Sequence, residues 1–287
     1  MIEGGIFGNL FLSIGAMKAG TTWLNAVLRR HPQLNCPIEK EIHYFYHRYV
    51  DRSTLSDVRR LQNARNDYIL RFDPEAVNPD AVRRNLQWVC AYLDRPVDDF
   101  WYRNLFDIRS HEKFACDFSN LNALLPAEAW RQIASKTENL RVLYTMRDPV
   151  KRLWSHMKFD LQFNGKLDLM AGWGAQEYDA YLRQDHIWVN AEYGRVLRNL
   201  SEALPEGCRK VMFYDDIEAD NLGAIRAIES FLGLPPFDYP KWLLERRFTE
   251  SARVEMPDFF PALVADDVAR IKVEIAELGI DPPASWL

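Results

Sequence analysis

The chain has 287 residues, of which 48% are hydrophobic and 13% aromatic, enough for one large α/β domain with a sizeable core. Its net charge is −5, from 36 basic and 41 acidic residues. That balance excludes a general nucleic-acid binder but leaves room for a local basic pocket. An apolar run at residues 10–14 predicts a first buried strand. A loop from Gly15 to Gly20 follows, and then a helix with Trp23, Val27 and Leu28 at helical spacing. His31-Pro32 ends that helix, because proline disfavours helix in the residue before it, and Cys36-Pro37 keeps the next piece extended. Residues 40–46 pack charge, imidazole and aromatic rings together, a mixture suited to lining a site.

Residues 51–110 are polar and helical in texture, cut by Pro74, Pro79 and Pro96. Their aromatic stripe, from Trp88 and Tyr92 to Phe100, Trp101, Tyr102 and Phe106, reads as helix-packing surface. Residues 113–118 and 140–146 predict the second and third strands. A helix starts at Val150, and the glycines at 165, 172 and 174 make residues 160–175 a mobile loop. An amphipathic helix spans 190–204, a fourth strand 209–214, a helix 222–232, an irregular stretch 245–258 and a final amphipathic helix 264–278. There is no internal repeat. Strands separated by helices predict a single domain over 1–287, with a parallel sheet covered on both faces. Ligands of such sheets sit at the carboxyl ends of the strands, which puts the Gly15 loop, Asp117 and Arg147 on one rim.

Cys36, Cys90, Cys116 and Cys208 form no C-x-x-C pair, so neither a zinc site nor a disulfide framework is expected, and a reducing compartment fits. No run reaches the length of a membrane span, and the N-terminus has Glu3 and no basic n-region. A cytoplasmic protein is expected.

Strand, glycine-bearing loop and helix make a phosphate-binding unit, with backbone amides and the helix N-terminus facing the anion. Gly15 and Gly20 have the spacing of G-x-x-x-x-G-K-[ST], and Thr22 holds the hydroxyl position. Thr21 stands at the lysine position, and the lysine, Lys18, lies inside the loop. This P-loop-like form resembles the 5′-phosphosulfate loop of the sulfotransferases that use 3′-phosphoadenosine 5′-phosphosulfate (PAPS). The run from Arg147-Asp148-Pro149 through Arg152 to Ser155 is similar to that family's RDPxxRxxS motif, which holds the 3′-phosphate. Lys40-Glu41-Ile42-His43-Tyr44-Phe45 resembles the KExHYF segment of the heparan-sulfate, Golgi-type and related bacterial branch.

The resemblance implies a PAPS-dependent sulfotransferase that releases adenosine 3′,5′-bisphosphate and needs no metal. It implies that Lys18, Ala19, Gly20, Thr21, Thr22 and Trp23 hold the 5′ side, and Arg147 and Ser155 the 3′-phosphate. Glu41 is then the base that takes the acceptor's proton, His43 orients Glu41 or contacts the acceptor, and Lys18 stabilises the leaving phosphate. The branch's EKSPxY lysine is missing: the matching stretch is Cys116-Asp117-Phe118-Ser119-Asn120-Leu121. Asp117 is therefore a second candidate, as an acceptor-binding group or a rival base. The usual Lys-Gly-Arg of the late loop is also missing, and Arg253 is the candidate there. Residues 51–110 and 160–190 match no known pattern and are expected to set the acceptor, a small-molecule or glycan hydroxyl. Two alternatives stay open: a P-loop kinase, which needs a lysine where Thr21 stands, and a relative that binds nucleotide without transfer.

Overall fold

Five parallel strands form one sheet in the order β2-β3-β1-β4-β5. They are β1 (Phe7–Ser13), β2 (Leu34–Asn35), β3 (Phe114–Phe118), β4 (Thr137–Met146) and β5 (Arg209–Phe213). The computed structural model describes residues 6–69, 75, 78–106, 112–246, 248 and 254–286.

The strands are apolar almost throughout because both sheet faces are covered. The two-residue side-chain period divides them between two cores. Leu10, Leu12, Leu140, Val142, Tyr144 and Met146 join one core, while Phe11, Phe114, Cys116, Phe118 and Leu143 join the other. Helix α1 (Thr21–Leu28) covers the second face with Leu24, Val27 and Leu28, together with Ile225, Ile228 and Leu232 of the helix Asn221–Leu232. The first face is covered by segments that include α2 (Tyr44–Tyr49), α3 (Asp57–Ala64), α4 (Pro79–Leu93), α5 (Asp99–Asn104), α6 (Ala127–Ser135) and α7 (Pro149–Phe163). The expected doubly covered parallel sheet is the observed fold.

Three local readings change. The pair Leu34–Asn35 is an edge strand beside β3, too short for any periodic signal. Pro79 opens α4 instead of cutting a helix, with Asn78 accepting the Asp80 and Ala81 amides. Residues 160–163 belong to α7, not to a loop. Met157 and Leu161 carry the apolar face onward, and the turn at Asn164-Gly165 (φ 66°) stops it. A 3₁₀ turn, Leu167–Gly172, follows. The aromatic stripe is packing surface, as expected: Trp88 stacks on Tyr92 and Tyr102 on Tyr44, and only Phe100 of the stripe is exposed.

Helix α7 has a strong start. Pro149 is its first residue, and the Asp148 carboxylate accepts the Lys151 amide at 2.8 Å. Asp148→Ala is expected to cost about 1 kcal/mol through the lost cap. The urea midpoint should fall with an unchanged slope, and an unchanged midpoint would contradict the cap.

Candidate active site

The Gly15 loop prolongs the β1–β4 ladder past the end of β1. Ile14 N–H donates to the Leu143 carbonyl, Thr145 N–H to Gly15 (2.8 Å) and Ala16 N–H to Thr145 (2.6 Å). The chain then turns through Lys18 (φ 69°) and Gly20 (φ 82°) into α1. Gly20 is required twice over: its φ is left-handed, and a Cβ there would lie 2.9 Å from the Tyr214 ring. Beyond β4, the Arg147 guanidinium donates to the Lys18 carbonyl at 3.1 Å and lies over the Tyr214 ring, 4.8 Å away. Tyr193 holds the Arg147 carbonyl from behind (2.8 Å). Ser155 lies two turns along α7, and the buried Arg152 of the same motif bonds His156 and the Ile187 carbonyl, so Arg152 is structural.

These parts open on one cleft of about 1380 Å³. Lys18, Gly20, Thr21, Thr22, Trp23, Glu41, His43, Arg147 and Ser155 all line it. Ala19, expected among the cofactor-binding residues, is fully buried and does not line the cleft. Trp23 is fixed by its indole N–H on the Leu244 carbonyl. Lys18 Nζ sits 4.2 Å from the centre of the Phe159 ring. Burial, and then the neighbouring cations Arg147, Lys158 and Lys40, push the Lys18 amine down to about 8. The cleft is thus cationic before any anion enters.

Glu39, Lys40, Glu41 and His43 form a further part of the cleft wall. Glu41 Oε2 accepts the Asn120 amide at 2.7 Å, and Oε1 is paired with Lys40. His43 Nε2 stands 3.8 Å from Glu41 Oε2. Burial pushes the His43 imidazole below its ordinary range, against the pull of Glu41, so it is neutral at neutral pH. Among the described residues, the non-glycine positions with positive φ are Lys18, Glu41 (67°) and His43 (59°). Each costs about 1–2 kcal/mol, and such strain gathers at functional sites.

Asp117 does not reach the cleft. It is 1% exposed, and its two oxygens accept the Ser119 and Tyr102 hydroxyls. Burial pushes its carboxyl up to about 6, with those two bonds pulling the other way. Arg253 lies outside the described residues. Arg246 and Phe248 of the same segment do line the cleft. Neither of the stretches expected on the acceptor side supplies a described lining residue, though Tyr68 donates to the lining Glu39 at 2.6 Å. The sequence reading missed Lys151, Lys158 and Phe159, which share the cleft-facing side of α7 with Ser155. Their signal was helical spacing from Ser155: one turn back for Lys151 and one turn on for Lys158 and Phe159. Among the described residues, no group of three or more His, Cys, Asp or Glu could hold a metal ion, and no helix is long and apolar enough to cross a membrane.

The profile of the Sulfotransferase family matches residues 11–239. The chain belongs to the sulfotransferase family. Solved relatives share the fold over nearly the whole chain. A sulfotransferase from Alicyclobacillus acidocaldarius is 18% identical with a TM-score of 0.62, covering 97% of this chain and 98% of its own. The sulfotransferase domain of the Synechococcus PCC 7002 olefin synthase is 18% identical with a TM-score of 0.50, covering 99% and 98%. The sulfotransferase domain from the curacin biosynthetic pathway is 14% identical with a TM-score of 0.52, covering 98% and 99%. Among curated protein sequences, none matches this sulfotransferase significantly.

The Lys18 amine carries a testable cost. Its folded pKa, about 8, lies below the unfolded value of 10.5. The penalty is therefore fully present below pH 8 and is relieved as pH rises toward 10.5. Lys18→Met is expected to melt higher than the parent at pH 7, with an advantage that shrinks between pH 8 and 10.5. An advantage that does not vary with pH would contradict the buried ammonium.

Proposed function

We propose that this sulfotransferase moves a sulfuryl group from PAPS to a hydroxyl of a carbohydrate, lipid or secondary metabolite, with Glu41 as the general base. The observation that carries this reading is the single cleft shared by the Gly20–Thr22 loop, Arg147, Ser155, Lys18 and Glu41. The α1 N-terminus, with the Thr21 and Thr22 hydroxyls, suits a 5′-phosphate. Arg147 and Ser155 suit the 3′-phosphate, where a planar fork of donors is the better partner. Trp23 and Phe248 give apolar faces for the adenine between them and the Leu244 region.

Glu41 takes the proton from the acceptor hydroxyl. As the acceptor oxygen bonds to sulfur in line, the bond from sulfur to the bridging phosphate oxygen breaks. Lys18 stabilises the charge that grows on that oxygen, an interaction stronger in the transition state than in the ground state. His43, neutral and beside Glu41, orients the carboxylate. Lys40, paired with Glu41, and Lys158, which donates to the Val254 carbonyl, are lining cations that supply charge in place of the missing strand-end lysine. The glutamate base relates the chain to the branch with the KExHYF segment. A kinase reading has less to stand on, because Thr21 holds the lysine position and the Asp148 carboxylate is spent capping α7.

The test is turnover of PAPS with a panel of hydroxyl compounds, magnesium withheld, followed as sulfated product and adenosine 3′,5′-bisphosphate. Glu41→Gln should lower turnover by about 10²–10⁴-fold. Full turnover in Glu41→Gln, together with its loss in His43→Ala, would move the base role to His43. No transfer to any acceptor, with the bisphosphate still bound, would favour the silent relative.

A further inference from the structure

The wall that carries Glu41 and His43 is fastened to the end of β3. Glu41 N–H donates to the Phe118 carbonyl at 3.0 Å, and Asn120 N–H donates back to Glu41 Oε2. His43 N–H donates to Ser119 Oγ at 2.9 Å. Ser119 in turn donates to Asp117 Oδ1 at 2.6 Å, and Tyr102 donates to Asp117 Oδ2 at 2.9 Å. We propose that Tyr102, Asp117 and Ser119 form a buried positioning chain that holds Glu41 and His43 in their left-handed conformations. Asp117 is then neither base nor acceptor ligand: it acts through Ser119 on the loop above it.

The chemistry of the hydroxyl supports this direction. Ser119 has one proton to give. Giving it to Asp117 turns its lone pairs toward His43 N–H. A carboxylate accepts one hydroxyl proton on each of its two oxygens; an amide in the same place offers an accepting oxygen on one side only and a donor on the other. The charged or titratable groups around Asp117 are Tyr102, Cys116, Glu41 and Lys40. None of them replaces Ser119 as the acceptor of the His43 amide. Strained left-handed residues persist only where several bonds over-determine them, and here three bonds do so, one to Phe118 at the end of β3 and two with Ser119 and Asn120 just beyond it.

The inference rests on Glu41 as the base, but its first readout does not. Amide hydrogen exchange is measured on the free protein for the parent, Asp117→Asn, Ser119→Ala, Tyr102→Phe and the Asp117→Asn/Ser119→Ala pair. Peptides covering 40–45 should exchange about tenfold faster in each variant, and those covering 15–22 and 147–155 at the parental rate. Release of adenosine 3′,5′-bisphosphate from PAPS, with water as acceptor, should fall roughly tenfold to a hundredfold at unchanged KM for PAPS. The double variant should be no worse than Ser119→Ala, since both act through one bond. Unchanged exchange at 40–45, an equal rise across all three regions, or additive losses would overturn the proposal. A parent that does not turn over PAPS would sink the sulfuryl-transfer reading alone, with exchange still deciding the chain.

Discussion

The site depends on the pairing of β1 with β4 continuing past the end of β1, where Gly15 and Ala16 bond Thr145 of β4. Those backbone bonds fix the depth of the Gly15 loop against the end of β4. The Arg147 guanidinium then bonds the Lys18 carbonyl, so the two elements proposed to hold the nucleotide's phosphates become one unit, though these two residues lie 129 positions apart. No side chain could substitute for that register. A slip of one residue would turn every β1 side chain to the opposite core.

Charge and strain follow from this arrangement. Packing Lys18 under Phe159 and near Arg147 and Lys158 removes water from an ammonium and surrounds it with like charge. Its amine is therefore poised for an anionic ligand, which would repay the desolvation. The loop with Glu41 and His43 is held at the end of β3, and its two left-handed residues point to a backbone shaped for function and not for stability. The cost falls on residues 41 and 43, and Phe118, Ser119 and Asn120, at and just past the end of β3, supply bonds to them.

Much of this was legible in the chain. The central strands are apolar runs buried on both faces, which periodicity located; glycine spacing located the Gly15–Gly20 loop, and resemblance to a family motif located the Arg147–Ser155 run. The edge strand Leu34–Asn35 was not legible, because two residues pair only through their tertiary neighbour β3. The end of α7 was misjudged because the glycines at 165, 172 and 174 were read as one loop, while Met157 and Leu161 still had core to fill. Lys158 and Phe159 could have been found by helical arithmetic from Ser155. The chain from Tyr102 through Asp117 and Ser119 to His43 could not: its members lie on α5, the end of β3 and the loop before α2, and only the fold brings them together.

The central claim is that the two ends of the β1–β4 register hold one nucleotide with phosphates at both its 5′ and 3′ positions. Calorimetric binding of adenosine 3′,5′-bisphosphate against AMP, without magnesium, tests it most directly. A strong preference for the bisphosphate, reduced at least about thirtyfold by Arg147→Ala with AMP binding little changed, is the predicted result. Equal affinity for the two nucleotides, or no effect of Arg147→Ala, would contradict the account.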